Sequence, residues 1–161
     1  MKELTLIGRV EKVDLPQLLA NGVSAKIDTG ADVSSICVHR IDRVDDVISV
    51  IFFGPESKHY DGNSHVFHPK QYTVTRISNS FGHKEDRYKV KLKINIKNKL
   101  ISGTFTLADR SAKLYPIIIG RSLLHNKFIV DVSKGTPLKL EEKARKPKLR
   151  QKPVYLRKRN K

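Results

Sequence analysis

The sequence predicts an all-β domain, a closed or nearly closed barrel of short strands, on three observations. Val90, Leu92, Ile94 and Ile96 alternate with Lys89, Lys91, Lys93 and Asn95, a period of two that makes one strand face apolar and the other basic. Lys97-Asn98-Lys99 then turns the chain, and Ile101, Gly103, Phe105 and Leu107 alternate back, which defines a hairpin. Turn residues recur at short intervals, whereas a helical period appears only around Ser122 to Lys127.

Taken in order, Leu4-Thr5-Leu6-Ile7 begins an edge strand that continues toward Val13. Pro16 and Asn21-Gly22 mark turns before a second strand, Val23 to Asp28. Ile48 to Phe53 forms a strand that Gly54-Pro55 ends, within an otherwise irregular excursion from Val44 to Gln71. Gly62, inside Tyr60-Asp61-Gly62-Asn63-Ser64, suits a positive φ. The hairpin follows, and one short helix comes after Gly120-Arg121.

A chain of 161 residues has room for one domain. It contains no run of eighteen apolar residues, and Met1-Lys2-Glu3-Leu4-Thr5 lacks the apolar stretch of a secretory signal. The lone Cys37 cannot form an internal disulfide and suits a reducing compartment, so a cytoplasmic protein without membrane association is expected. The net charge of +16 is uneven. Residues 139–161 hold eleven Lys and Arg against Glu141 and Glu142, a net of +9, which leaves +7 for residues 1–138. With Pro147 and Pro153, few apolar residues and no periodicity, this basic tail reads as disordered and separate from a domain spanning 1–138. Such a tail either solubilises the protein or contacts a polyanion such as RNA or the ribosome. Only Tyr155 could stack on a base there, which gives no basis for sequence-specific recognition.

The chemistry centres on Asp28-Thr29-Gly30-Ala31, at the end of the strand Val23 to Ile27. A carboxylate leaving a strand into a Thr-Gly turn is what an aspartic protease needs, one from each of two loops, sharing a proton and holding a water. The competing assignment is a turn carboxylate that caps Gly30 or Ala31 through its side chain. About ninety residues on comes Tyr115-Pro116-Ile117-Ile118-Ile119-Gly120-Arg121-Ser122-Leu123-Leu124. Zinc chemistry has little to draw on, because the six histidines and Cys37 offer no His-Glu-x-x-His or comparable ligand spacing. No Gly-rich phosphate loop is present, and no cofactor is expected.

Together these segments resemble the retropepsin-like aspartic proteases. Ala25 to Ile36 in particular looks like the opening of the bacterial and archaeal family long labelled "ATP-dependent zinc protease". That family is grouped with retropepsin-like endopeptidases associated with an ATP-grasp ribosomal-protein glutamate ligase. Ser80 to Val90, Leu107 to Ser111, and Pro116 to Arg121 running into Phe128-Ile129-Val130-Asp131 are similar to further shared blocks. The resemblance implies an acid-protease barrel in which Asp28 activates water, supported by the Thr29 hydroxyl and the tight path at Gly30. It also implies that Ala31 contacts substrate and that Gly120 and Arg121 underlie the Asp28 loop.

Two features depart from ordinary retropepsins. Lys26 lies two residues before Asp28, on the same strand face, where those enzymes carry an apolar residue. Glu85, Arg87 and Tyr88 form a polar cluster, either a flap or cleft wall or an ordinary solvated hairpin. Lys26 and Glu85 are therefore added to the catalytic group, and Arg87 and Tyr88 to the substrate-binding group. With only one Asp-Thr-Gly, a homodimer that places Asp28 against its symmetry mate is expected. The expected substrate is a peptide or protein, acidic or glutamate-rich given the ligase association and the basic body. The rival reading is a noncatalytic β-barrel that binds ribonucleoprotein through its basic face and tail.

Overall fold

The computed structural model describes residues 3–78 and 81–151. Eleven strands dominate: β1 (Thr5–Ile7), β2 (Val10–Leu15), β3 (Ala20–Ile27), β4 (Ser34–Val44), β5 (Val47–Phe52), β6 (Ser64–Phe67), β7 (Tyr72–Ser78), β8 (Lys84–Ile96), β9 (Lys99–Ala108), β10 (Ile117–Ile119) and β11 (Phe128–Val130). Two helices, α1 (Arg121–Leu124) and α2 (Lys139–Gln151), follow β10 and β11.

The expected hairpin is β8 and β9, paired from Lys89↔Thr106 to Ile96↔Lys99. Lys97 and Asn98 both take positive φ (50° and 62°), the two-residue turn whose twist matches that of the flanking strands. Val90, Leu92, Ile94 and Ile96 are buried, while Lys91 and Lys93 are exposed.

From β10 the sheet runs β3, β2, β8, β9, β4, and β10 pairs β4 as well, so six strands close into a ring. β5 and β6 continue outward from β4, and β7 adds to the first half of β8. Inside the ring lie Val13, Val23, Ile36, Ile94, Phe105 and Ile117, all essentially without solvent contact. The fold is therefore the all-β, nearly closed barrel that the patterning predicts.

Three local expectations change. The first edge is two strands: β1 leaves to pair in parallel with β11, and β2 joins the barrel. The excursion from Val44 to Gln71 holds more strand than expected, because β5 pairs with both β4 and β6; Gly62 has the positive φ foreseen for it (71°). The tail is not disordered from 139 onward, since α2 begins there. Glu141 and Glu142 in its first turn suit the positive end of a helix, a signal masked in sequence by the surrounding basic run. Glu142 receives two bonds from the Arg9 guanidinium, at 3.0 Å each, and one from the Tyr115 hydroxyl at 2.6 Å. That hydroxyl in turn accepts the Leu138 N–H at 3.0 Å, so the helix start is tied to the β1–β2 connection and to the segment before β10. The tail beyond 151, including Tyr155, lies outside the described residues.

Glu142→Gln should loosen this attachment without unfolding the barrel. Loss of this partly exposed bidentate pair should read as a modest fall in thermal midpoint together with faster amide exchange in α2.

Candidate active site

β3 ends at Ile27, and the next residue is caught by β10: the Asp28 N–H donates to the Ile119 carbonyl at 2.9 Å. The chain then turns tightly. The Gly30 N–H donates to Asp28 Oδ1 at 3.0 Å and the Ala31 N–H to the Asp28 carbonyl at 3.2 Å. The turn-capping geometry is therefore present, and it uses one carboxylate oxygen. The other has no hydrogen bond among the described residues. Asp28 is half-buried, whereas Thr29 and Gly30 are exposed.

Gly120 and Arg121 hold this loop from beneath. A Cβ at Gly120 would lie 2.7 Å from the Val33 carbonyl carbon and 2.9 Å from the Ala31 oxygen, so only glycine lets the two segments meet. The Gly120 N–H donates to the buried Ser34 hydroxyl at 3.0 Å, and the Arg121 and Ser122 N–H groups donate to the Ala31 and Asp32 carbonyls. The Arg121 side chain donates to the Thr29 carbonyl at 3.0 Å and pairs with the Asp32 carboxylate. Thr29 thus takes part through its carbonyl; its hydroxyl has no hydrogen bond among the described residues.

A groove lies beside the loop on the outer face of the sheet. Strand registers place Lys26, Ile118, Ser35, Thr106, Lys89 and Thr73 on one rung crossing β3, β10, β4, β9, β8 and β7. Two concavities occupy this face. The larger, about 900 Å³, includes Lys26, Lys113, Tyr115 and Glu142. The smaller, about 390 Å³, includes Ala31, Val33, Ser35, Arg87 and Lys89. Ile118 and Arg110 border both.

Arg110 is the group the sequence reading overlooked. It lies inside the Leu107 to Ser111 block, to which no chemical role was attached. Its Nε donates to the Tyr115 carbonyl at 3.2 Å, which aims the guanidinium between the concavities. Burial pulls its pKa below the ordinary guanidinium range; the charges of Cys37 and Asp28 act against that shift, and Arg87 acts with it. A signal was available in its position, two residues after a strand and seven before β10.

The other expected residues separate into two groups. Lys26 reaches the larger concavity and has no ion pair among the described residues. Arg87 lines the smaller one with Ala31, and its Nε is buried without a hydrogen-bond partner, as is Ser35 Oγ. Glu85 pairs with Arg87 at 3.2 Å on the exposed β7–β8 hairpin. Tyr88 points to the opposite face, edge-on to Tyr72 with ring centroids 5.7 Å apart, and lines neither concavity.

Among the described residues no three of His, Cys, Asp and Glu are grouped as metal ligands would be, so the donor set does not fit the zinc of the old family label. Nor is any described helix long and apolar enough to cross a membrane.

A solved Legionella pneumophila protein of unknown function shares the fold, with a TM-score of 0.63 at 23% identity over 83% of this chain and 97% of that one. No curated protein matches this chain. The family model for the RimB-like retropepsin-like aspartic endopeptidases matches residues 6–137, a span that contains the Asp28 loop, the β7–β8 hairpin and the Gly120-Arg121 support. The chain belongs to the RimB-like family of retropepsin-like aspartic endopeptidases.

Proposed function

We propose that this chain hydrolyses peptide bonds in acidic protein segments, as a homodimer acting in the cytoplasm, where its unpaired Cys37 is stable as a thiol. The observation that carries the proposal is the Asp28 turn. One carboxylate oxygen is fixed by the Gly30 N–H and the other is left unbonded, at a half-exposed position on a rigid support. A second Asp28 across a two-fold axis would complete the dyad. One carboxylate takes a proton from the bound water as it attacks the scissile carbonyl, and the other, protonated, donates to the carbonyl oxygen. The resulting tetrahedral intermediate collapses as the amine leaves with a proton, and no covalent enzyme species forms.

The surface beside Thr29 supports a second copy. Thr29 and Arg121 border a shallow apolar concavity of about 420 Å³ formed with Leu4, Leu124, Phe128 and Val130. Leu6 and Ile129, opposite each other across β1 and β11, are both about half exposed, and Val132 beyond them is more so. Apolar surface of this kind, next to a half-built site, suits a symmetric interface.

Charge supports the substrate class. Lys26, Lys89, Arg87, Arg110 and Lys113 line the two concavities, and their only carboxylate, Glu142, is already engaged by Arg9 and Tyr115. An acidic side chain entering the groove would meet cations.

Three experiments bear on this reading. Asp28→Asn should remove hydrolysis of an acidic peptide while leaving the circular dichroism spectrum unchanged, and a metal chelator should leave the wild-type rate intact; rescue of chelated enzyme by zinc would defeat the aspartic mechanism. Specific activity should fall on dilution in step with the loss of dimer by sedimentation, and a fully active monomer would exclude a shared dyad. Arg110→Leu should raise KM for glutamate-rich peptides by roughly tenfold or more, as expected for loss of a partly buried charge-assisted bond. A neutral peptide cleaved by the same enzyme should show a much smaller change.

A further inference from the structure

We infer that the outer face of β8 and β9 is an exosite, a row of lysines that holds the part of an acidic peptide extending beyond the groove. The inference rests on the acidic-peptide reading above and adds a second binding surface to it. Lys89 is the hinge of the argument, because it belongs both to the groove rung, opposite Thr106, and to a row running along β8. Alternation along the strand puts Lys91 and Lys93 on the same face at steps of roughly 7 Å, the same repeat as every second side chain of an extended peptide. Their partners on β9 are Thr104 and Ser102, so each rung offers a cation beside a hydroxyl. Lys70 and Thr73 border the same concavity as Lys89 and Lys91.

Carboxylates are kept to the two ends of this face. Glu85 is paired with Arg87 at one end. Asp14 at the other end accepts from the Gly22 N–H at 2.8 Å and from the Asn95 side chain at 3.4 Å. Among the described residues Lys89, Lys91 and Lys93 form no ion pair, so no described carboxylate neutralises the row. On the apolar side of the strand the same alternation serves the core. That accounts for Val90, Leu92 and Ile94 but does not require a lysine at each outward position.

The row favours an acidic peptide over a nucleic acid on two grounds. Its rungs carry no aromatic ring to stack a base, and the nearby Tyr72 and Phe67 are already set edge-on against Tyr88 and Phe52. The row is also continuous with the groove through Lys89. The rung from Lys26 to Lys89 spans four strand spacings, roughly 19 Å, and the two steps to Lys93 add roughly 14 Å, so about ten extended residues would cover both.

The test uses the full chain carrying Asp28→Asn, so that bound peptide is not cut, with fluorescein-labelled glutamate tetrapeptide and dodecapeptide followed by anisotropy. The tetrapeptide fits the groove alone, and the dodecapeptide reaches the row. The dodecapeptide should bind roughly tenfold tighter than the tetrapeptide. Adding Lys91→Gln and Lys93→Gln should remove most of that advantage while leaving tetrapeptide affinity and the thermal midpoint unchanged. Equal affinity for the two peptides, or a dodecapeptide affinity untouched by the two substitutions, would overturn the exosite. So would a uridine dodecanucleotide that binds tighter than the peptide and is lost in the same variant, since the face would then be a nucleic-acid surface. If the tetrapeptide fails to bind while lysine-dependent dodecapeptide binding persists, the exosite stands and the acidic groove of the proposed function fails. If neither peptide binds, both are wrong.

Discussion

The structure depends on three residues, Ile117 to Ile119, being paired on both edges. β10 runs parallel to β3 on one side and antiparallel to β4 on the other, which closes the ring and leaves no free edge at the point where the candidate site is built. Ile117 and Ile119 point inward and are fully buried, while Ile118 between them faces outward as part of the groove floor. The same short strand therefore supplies core and site at once. The Ile119 carbonyl receives the Asp28 N–H, and Gly120, one residue later, allows the Asp28 loop to sit directly on the end of β10. A carboxylate expected to act with its symmetry mate needs its position fixed closely. Here that is achieved by backbone hydrogen bonds to β10, reinforced by the Ser34 hydroxyl and the Arg121 side chain.

Charge is arranged around this support with a consistent sign. Cations line both concavities, and burial makes the proton of Arg110 easier to lose than usual. Partial desolvation also strengthens its attraction for a carboxylate compared with a surface arginine. Lys26 and Arg87 contribute from opposite sides of Ile118, so the groove is cationic along its length rather than at one point.

Much of this was legible in the sequence where pattern and chemistry are local. The β8–β9 hairpin followed from period-two alternation and the Asp28 turn from its motif, while the Gly120-Arg121 support was implied by the family resemblance. What was not legible depends on contacts distant in sequence. Lys26 and Arg110 are eighty-four residues apart and meet only because β10 brings their strands together around Ile118. Glu85 was grouped with Lys26 as catalytic, yet a carboxylate two residues from Arg87 on an exposed strand has a nearby cation, and local pairing wins. Tyr88 was assigned with its neighbours, but alternation turns it to the opposite face from Arg87. The first turn of α2 was hidden by composition: two glutamates inside a basic run read as a solvated tail until Arg9 and Tyr115 supply their partners.

That docked turn gives the tail a place in the argument about substrate. Glu142 is the single carboxylate in the larger concavity, and it satisfies Arg9 and Tyr115 while leaving Lys26, Lys113 and Arg110 without a carboxylate partner among the described residues. Had the protein needed only to neutralise a basic surface, carboxylates spread over the groove would serve better than one held at its margin. The arrangement instead fixes a wall with one ion pair and keeps the remaining cations free. Like charge is felt among those cations: Arg87 adds to burial in pulling the Arg110 pKa down. The start of α2 and the groove therefore share one wall, whose single carboxylate is held at the margin by Arg9 and Tyr115.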